Sequence, residues 1–107
     1  VILKVNRKRK AREFARTYES VERVEFVKAL PSVWDGAGPC VNAHVGRKGA
    51  GARRKADADQ IVPLTDWQHR AFDEHRAPFD TEAAREAVRA CCADVEARWL
   101  AFSGGDA

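Results

Sequence analysis

The sequence has too few cysteines, wrongly arranged, for a cross-linked or thiolate-metal scaffold. Its 107 residues hold three, Cys40, Cys91 and Cys92, with no CxxC pair. An odd count without that spacing indicates neither a disulfide framework nor a cysteine zinc site. Long apolar runs are also missing, and no stretch approaches the roughly 18–20 residues that a membrane span requires. The first ten residues place their charges after a very short apolar stretch, the wrong order and length for a secretory signal. Position 1 is valine and methionine is absent, which leads us to expect either trimming or a sequence that begins mid-chain. These absences lead us to expect a cytoplasmic protein with no membrane partner. Histidine is scarce too, and His44, His69 and His75 all fall in one stretch.

What is present is an ordinary globular composition, 45% hydrophobic, in a chain long enough for one domain with a modest core. The net charge of +3 hides an asymmetry. Residues 1–55 carry 14 Lys/Arg against 5 Asp/Glu, a net of +9, and the remainder carries 5 Arg against 11 Asp/Glu, a net of −6. A basic half of this kind hints at a polyanionic partner.

Residues 5–12 form a basic run that includes Arg9 and Lys10, suited to phosphate contacts. Residues 11–19 are helix-compatible, with Phe14 and Tyr18 on one face. Ser20 caps a helix expected over 21–30, whose apolar stripe is Val21, Val24, Val27 and Leu30. Residues 31–39 read as a turn-rich loop. Residues 40–45 read as a strand with Cys40, Asn42 and His44 on one face and Val41, Ala43 and Val45 on the other. The loop 46–56 has three glycines but lacks the P-loop order, so Arg47, Lys48, Arg53, Arg54 and Lys55 are expected to grip nucleic-acid phosphates. A second strand over 60–64 is expected to stop at Pro63. Thr65 and Gln68 fit a capping box for a helix over 66–76, with Trp67, Ala71 and Phe72 on its buried side and His75 a further candidate for it. A long helix over 81–102 then buries Ala84, Val88, Cys91, Val95, Trp99 and Phe102, leaving Cys92 half exposed.

Strand with histidine, loop, strand, helix with histidine is the order that a ββα metal nuclease site needs. A strand histidine can deprotonate water while a helix histidine holds a divalent metal. Over residues 7–76, and most closely over 30–75, the chain resembles the HNH (His-Me finger) nucleases, in particular small phage and prophage members. Their usual pattern is a CxxC knuckle, a strand histidine, a Gly-rich loop and Asn-x-x-x-Leu-Cys-x-x-Cys-His. Gln60-Ile-Val-Pro-Leu-Thr-Asp-Trp-Gln-His69 falls on the last element without a gap, and Asn42-Ala-His44-Val falls on the strand histidine.

The resemblance implies an α+β fold, a ββα-metal core at 31–76 flanked by an N-terminal helix and a long C-terminal one. It implies a metal-dependent endonuclease acting on DNA, whether branched, nicked or single-stranded. His44 would be the general base, Gln60 its orienting residue and His69 a catalytic metal ligand, with His75, Asp57 or Asp59 completing a site for Mg²⁺, Mn²⁺ or Ni²⁺. His75 lies six residues beyond His69, about 240° round a helix, so sharing a metal requires the helix to end or bend between them.

The chain departs from the pattern in three places. Ala43 stands where many members have a metal-binding aspartate. Gln60 stands at the asparagine position. Ser32, Asp35, Thr65 and Gln68 replace all four cysteines, so no structural zinc is expected. Such a zinc is worth on the order of 10 kcal/mol of folding energy. Its replacement is expected to be the Thr65/Gln68 capping box, a Ser32–Asp35 turn bond, and Trp34 packed near Trp67. If catalysis survives, His44 and His69 should converge within about 5–8 Å. The alternatives are a catalytically degenerate nucleic-acid-binding module on the same fold and an accessory protein working through the outer face of the 81–102 helix.

Overall fold

The computed structural model of the chain describes residues 2–46 and 58–104, with side chains from residue 7 onward. The fold is α+β: five α-helices surround one two-stranded antiparallel sheet among the described residues.

Helix α1 runs Ile2–Tyr18, so the basic run and the segment after it form one continuous helix. No glycine or proline interrupts them, and most of the residues are good helix formers. Glu19 then adopts φ +72, a left-handed geometry unusual for a residue with a side chain. Its carboxylate is anchored on both oxygens, accepting from Arg23 at 3.2 Å and from the Trp99 indole at 3.0 Å. Helix α2, Val21–Lys28, starts at the expected Ser20 cap, whose hydroxyl accepts from the Arg23 N–H at 3.1 Å. Its stripe is incomplete, because Val27 is fully buried while Val21 stays exposed.

Strand β1, Cys40–His44, pairs with β2, Ile61–Thr65, in a register that sets His44 opposite Ile61 and Cys40 opposite Thr65. Pro63 does not stop β2 but lies at its centre, opposite Asn42. An antiparallel strand turns alternate backbone groups away from its partner. The Pro63 carbonyl accordingly faces outward and accepts from the Val33 N–H at 3.1 Å, so the missing proline N–H costs the ladder nothing. A 3₁₀ turn at Ala58–Gln60 leads into β2.

Helix α3, Asp66–Asp73, is shorter than the expected 66–76. The capping box is present in full, with Thr65 Oγ1 accepting from the Gln68 N–H and Gln68 Oε1 accepting from the Thr65 N–H. Its buried residues are Gln68, Ala71 and Phe72, whereas Trp67 is 55% exposed. Two helices replace the single long C-terminal one, α4 at Glu82–Arg89 and α5 at Cys92–Ser103. No breaking residue marks the division. The two halves have different partners: α4 reaches Phe72, Phe79 and Val45 through Arg85 and Arg89, and α5 packs on α2, β2 and the 3₁₀ turn. Cys92 is buried and Cys91 half-buried, the reverse of the expected order, and Phe102 is exposed.

The core joins Val27, Ala43, Val45, Ile61, Val62, Leu64, Ala71, Phe72, Phe79, Val88, Cys92 and Val95. Every residue of β2 is buried, so both faces of the small sheet are covered. Two buried arginines tie the layers together. Arg23 binds the Ala58 carbonyl, Glu96 and Glu19, and Arg85 binds the carbonyls of Phe72 at 2.6 Å and Phe79 at 3.3 Å.

Candidate functional site

Alternation along β1 puts Asn42 and His44 on a common face, as expected, and that face meets α1 and α2. The Asn42 amide donates to the Val24 carbonyl at 3.0 Å. The His44 ring is half-buried, edge-on to Tyr18 with centroids 5.1 Å apart, and its Nε2 lies 2.9 Å from the Thr17 carbonyl oxygen. A carbonyl only accepts, so Nε2 carries the proton in that bond. In the neutral ring this leaves the lone pair on Nδ1, the state a general base requires. The group that orients His44 is therefore the last turn of α1. Gln60 instead uses its backbone carbonyl to accept from the Val45 N–H at 3.0 Å.

His69 lies on α3 beside Gln68. Its Nε2 is 3.2 Å from Asp73 Oδ2, one helical turn further on. The signal for Asp73 in the sequence is its i, i+4 spacing from His69 on one helix. An imidazole and a carboxylate so placed bond to each other along one helix face, and both could turn to an ion only if Nε2 gave up the proton it shares with Asp73. A hydrated divalent ion that takes its remaining oxygens from water and a phosphate fits such a donor set. Among the described residues no three His, Cys, Asp or Glu side chains gather closely enough to hold an ion by themselves.

The ring contacts of His44 lie on α1 and the partner of His69 lies on its own helix, so these contacts do not join the two histidines. His75 lies past the end of α3, exposed, at φ +56. The helix thus ends between His69 and His75. Asp59 is exposed and, with Gln60, lines a cleft shared with Glu86, Arg89, Cys92 and Glu96. Asp57 and the loop cations Arg47, Lys48, Arg53, Arg54 and Lys55 lie outside the described residues. Arg9 and Lys10 are exposed on α1, together with Arg7, Lys8, Arg12 and Arg16.

Ser32, Asp35, Thr65 and Gln68 come together. Ser32 Oγ donates to Gln68 Oε1 at 2.6 Å and accepts from the Trp34 N–H at 3.0 Å. Gln68 is fully buried and its Oε1 also accepts from the Thr65 N–H. The 32–37 turn is closed by the Gly36 N–H on the Ser32 carbonyl and the Ala37 N–H on Asp35. The Gln68 amide beside Asp35, then the Ala37 N–H, hold that carboxyl below the usual carboxylate range. Nε2 of Gln68 approaches Asp35 without closing a bond of normal geometry. Cys40, opposite Thr65, is pushed up by burial and by Asp35. The tryptophans do not pair: Trp34 packs edge-on against Phe79 at 4.9 Å, and Trp67 faces solvent. Position 67 follows the cap and falls on the outer side of a helix whose inner side is Gln68, Ala71 and Phe72.

No protein-family profile, curated protein or solved structure matches the chain.

Proposed function

We propose that the protein is a metal-dependent endonuclease of HNH type acting on DNA. The observation that carries this reading is the His44 ring, held by the Thr17 carbonyl on the first strand of a β1–β2–α3 unit, with Nδ1 left as the basic nitrogen. His44 takes a proton from the water that attacks the phosphodiester. His69 and Asp73 are the residues that would hold a divalent ion, which when bound supplies Lewis-acid stabilisation of the phosphate oxygens. The exposed cations of α1 hold the nucleic-acid backbone.

A second reading is a nucleic-acid-binding module on this fold without hydrolysis. It is favoured by the separate engagements of the histidines, His44 with α1 and His69 with Asp73. Incubation with supercoiled plasmid and Mg²⁺, Mn²⁺ or Ni²⁺ separates the two readings. Nicking that His44→Ala abolishes, with DNA binding unchanged in a gel shift, supports the nuclease. A shift without nicking in any metal supports the module. Absence of both rejects the pair.

A further inference from the structure

Helix α1 carries a second pattern on a face that its charge alone does not explain. Lys10, Phe14 and Tyr18 follow one another at four-residue steps, which places them on one line along the helix. Phe14 is 39% exposed, a large apolar ring left in water between cations. Its ring lies 5.2 Å from that of Tyr18, tilted by 38°, and Tyr18 in turn meets the His44 ring at 5.1 Å. Lys10, Phe14, Arg16, Thr17 and Tyr18 line one open crevice, together with Glu13. The line thus runs from a cation through two aromatic rings to the histidine of β1.

Cations interleaved with exposed aromatic rings suit single-stranded nucleic acid. Backbone phosphates take the cations, and unpaired bases stack on the rings whatever their sequence. A duplex cannot use this line in the same way, because its bases are already stacked on one another. We propose that the Lys10–Phe14–Tyr18 line of α1 is a binding track for unpaired nucleotides, with a base stacked on Phe14 and the following phosphate led toward His44. This rests on the nucleic-acid reading above and adds to it the structure of the strand that is bound.

The test is fluorescence anisotropy with two labelled probes at one salt concentration, an oligothymidylate of about twelve nucleotides and a blunt duplex of the same length. Wild type is expected to bind the single strand more tightly. Phe14→Leu keeps an apolar side chain against Tyr18 but has no π face. It should weaken single-strand binding about tenfold and leave duplex binding unchanged, while Phe14→Trp retains wild-type affinity. Thermal melts of both variants confirm that they are folded. Equal binding of leucine and tryptophan variants, or equal losses on both probes, overturns the track and leaves the nucleic-acid reading standing. No binding of either probe by the wild type overturns both.

Discussion

Ser32 and Gln68, 36 residues apart in sequence, share a buried 2.6 Å hydrogen bond that ties the 32–37 turn to the first turn of α3. The same Gln68 oxygen accepts the Thr65 N–H, so one side chain caps the helix and holds the turn. Removing it leaves a hydroxyl and an amide N–H without their partner in a fully buried setting. Gln68→Ala is expected to destabilise the fold by about 2–3 kcal/mol, from an unsatisfied buried group together with a lost cap. Ser32→Ala should cost about 1 kcal/mol. The double variant should cost less than the sum, because one shared bond is counted twice. Urea denaturation of the four proteins measures the coupling, and strict additivity would contradict the bond.

Residues 32, 35, 65 and 68 keep the Cys-x-x-Cys spacing of a four-thiolate knuckle and meet as one polar cluster. A tetrahedral thiolate site needs four sulfurs about 2.3 Å from the metal, on two turns that already face each other. The variant with Ser32→Cys, Asp35→Cys, Thr65→Cys and Gln68→Cys is expected to take up one equivalent of Zn²⁺ and to melt higher with it than without. Its Co²⁺ form should show the intense visible bands of tetrahedral thiolate ligation. A variant that binds no metal would mean that the two turns sit too far apart for a knuckle.

Asp35 and Cys40 lie at the edge of this cluster and predict opposite pH effects. The Asp35 carboxyl is held below its ordinary value of 3.8, chiefly by the Gln68 amide. Its contribution is therefore present above that pH and lost as the pH falls through the lower folded value. Cys40 is held above its ordinary 9.0, first by burial and then by Asp35. Its contribution is present below pH 9.0 and lost as the pH rises beyond it. Melting temperature against pH should fall less steeply on the acid side in Asp35→Asn, and less steeply on the alkaline side in Cys40→Ala. Unchanged limbs would show that neither group is linked to folding.

The parts legible in the sequence are those set by neighbouring residues. Ser20, Thr65 and Gln68 announce two helix starts because a cap is a bond across three positions. The strand pair and the shared face of Asn42 and His44 follow from two-residue alternation. What was not legible depends on partners far along the chain. Pro63 sits inside β2 because its outward-facing carbonyl finds a donor in the Val33 N–H, and nothing near Pro63 reveals that. The break between α4 and α5 follows from where Arg85 and Trp99 find partners, not from a glycine or proline. Trp34 meets Phe79 instead of Trp67, a contact spanning 45 positions that no local spacing encodes. At the candidate site, His44 and His69 were visible as residue types. The carbonyl that fixes the His44 tautomer belongs to α1, 27 positions earlier, and only the fold shows it.

Arg85 tests how far one buried cation organises the C-terminal half. Its guanidinium stacks 4.0 Å from the Phe72 ring and donates to the carbonyls of Phe72 and Phe79. Burial, joined by the neighbouring Arg89, lowers its proton affinity, yet the bonds it makes are those of a charged donor. Arg85→Met keeps much of the volume and removes both bonds. It is expected to cost about 2–4 kcal/mol, from two under-satisfied carbonyls and a lost cation–π contact. Chemical denaturation gives the value, and a loss under about 0.5 kcal/mol, the range of an ordinary surface change, would show that water replaces the arginine.

The cations of α1 should act on nucleic acid through phosphate charge alone, apart from the aromatic line. Lys8, Arg12 and Arg16 follow at four-residue steps, each turned about 40° from the last, so they form a stripe that winds slowly along the helix. All three are exposed and none is paired with a described carboxylate. Each phosphate neutralised releases condensed counterion, so log affinity falls with log salt by about 0.9 per contact on duplex DNA and about 0.7 on a single strand. Arg12→Ala combined with Arg16→Ala is expected to weaken binding to every sequence tested and to reduce that slope by roughly two on duplex. Phe14→Leu should leave the slope where it was, since a stacked base releases no counterion. Anisotropy titrations at four or more salt concentrations check both. An unchanged slope in the double arginine variant would place the phosphate contacts elsewhere than on α1.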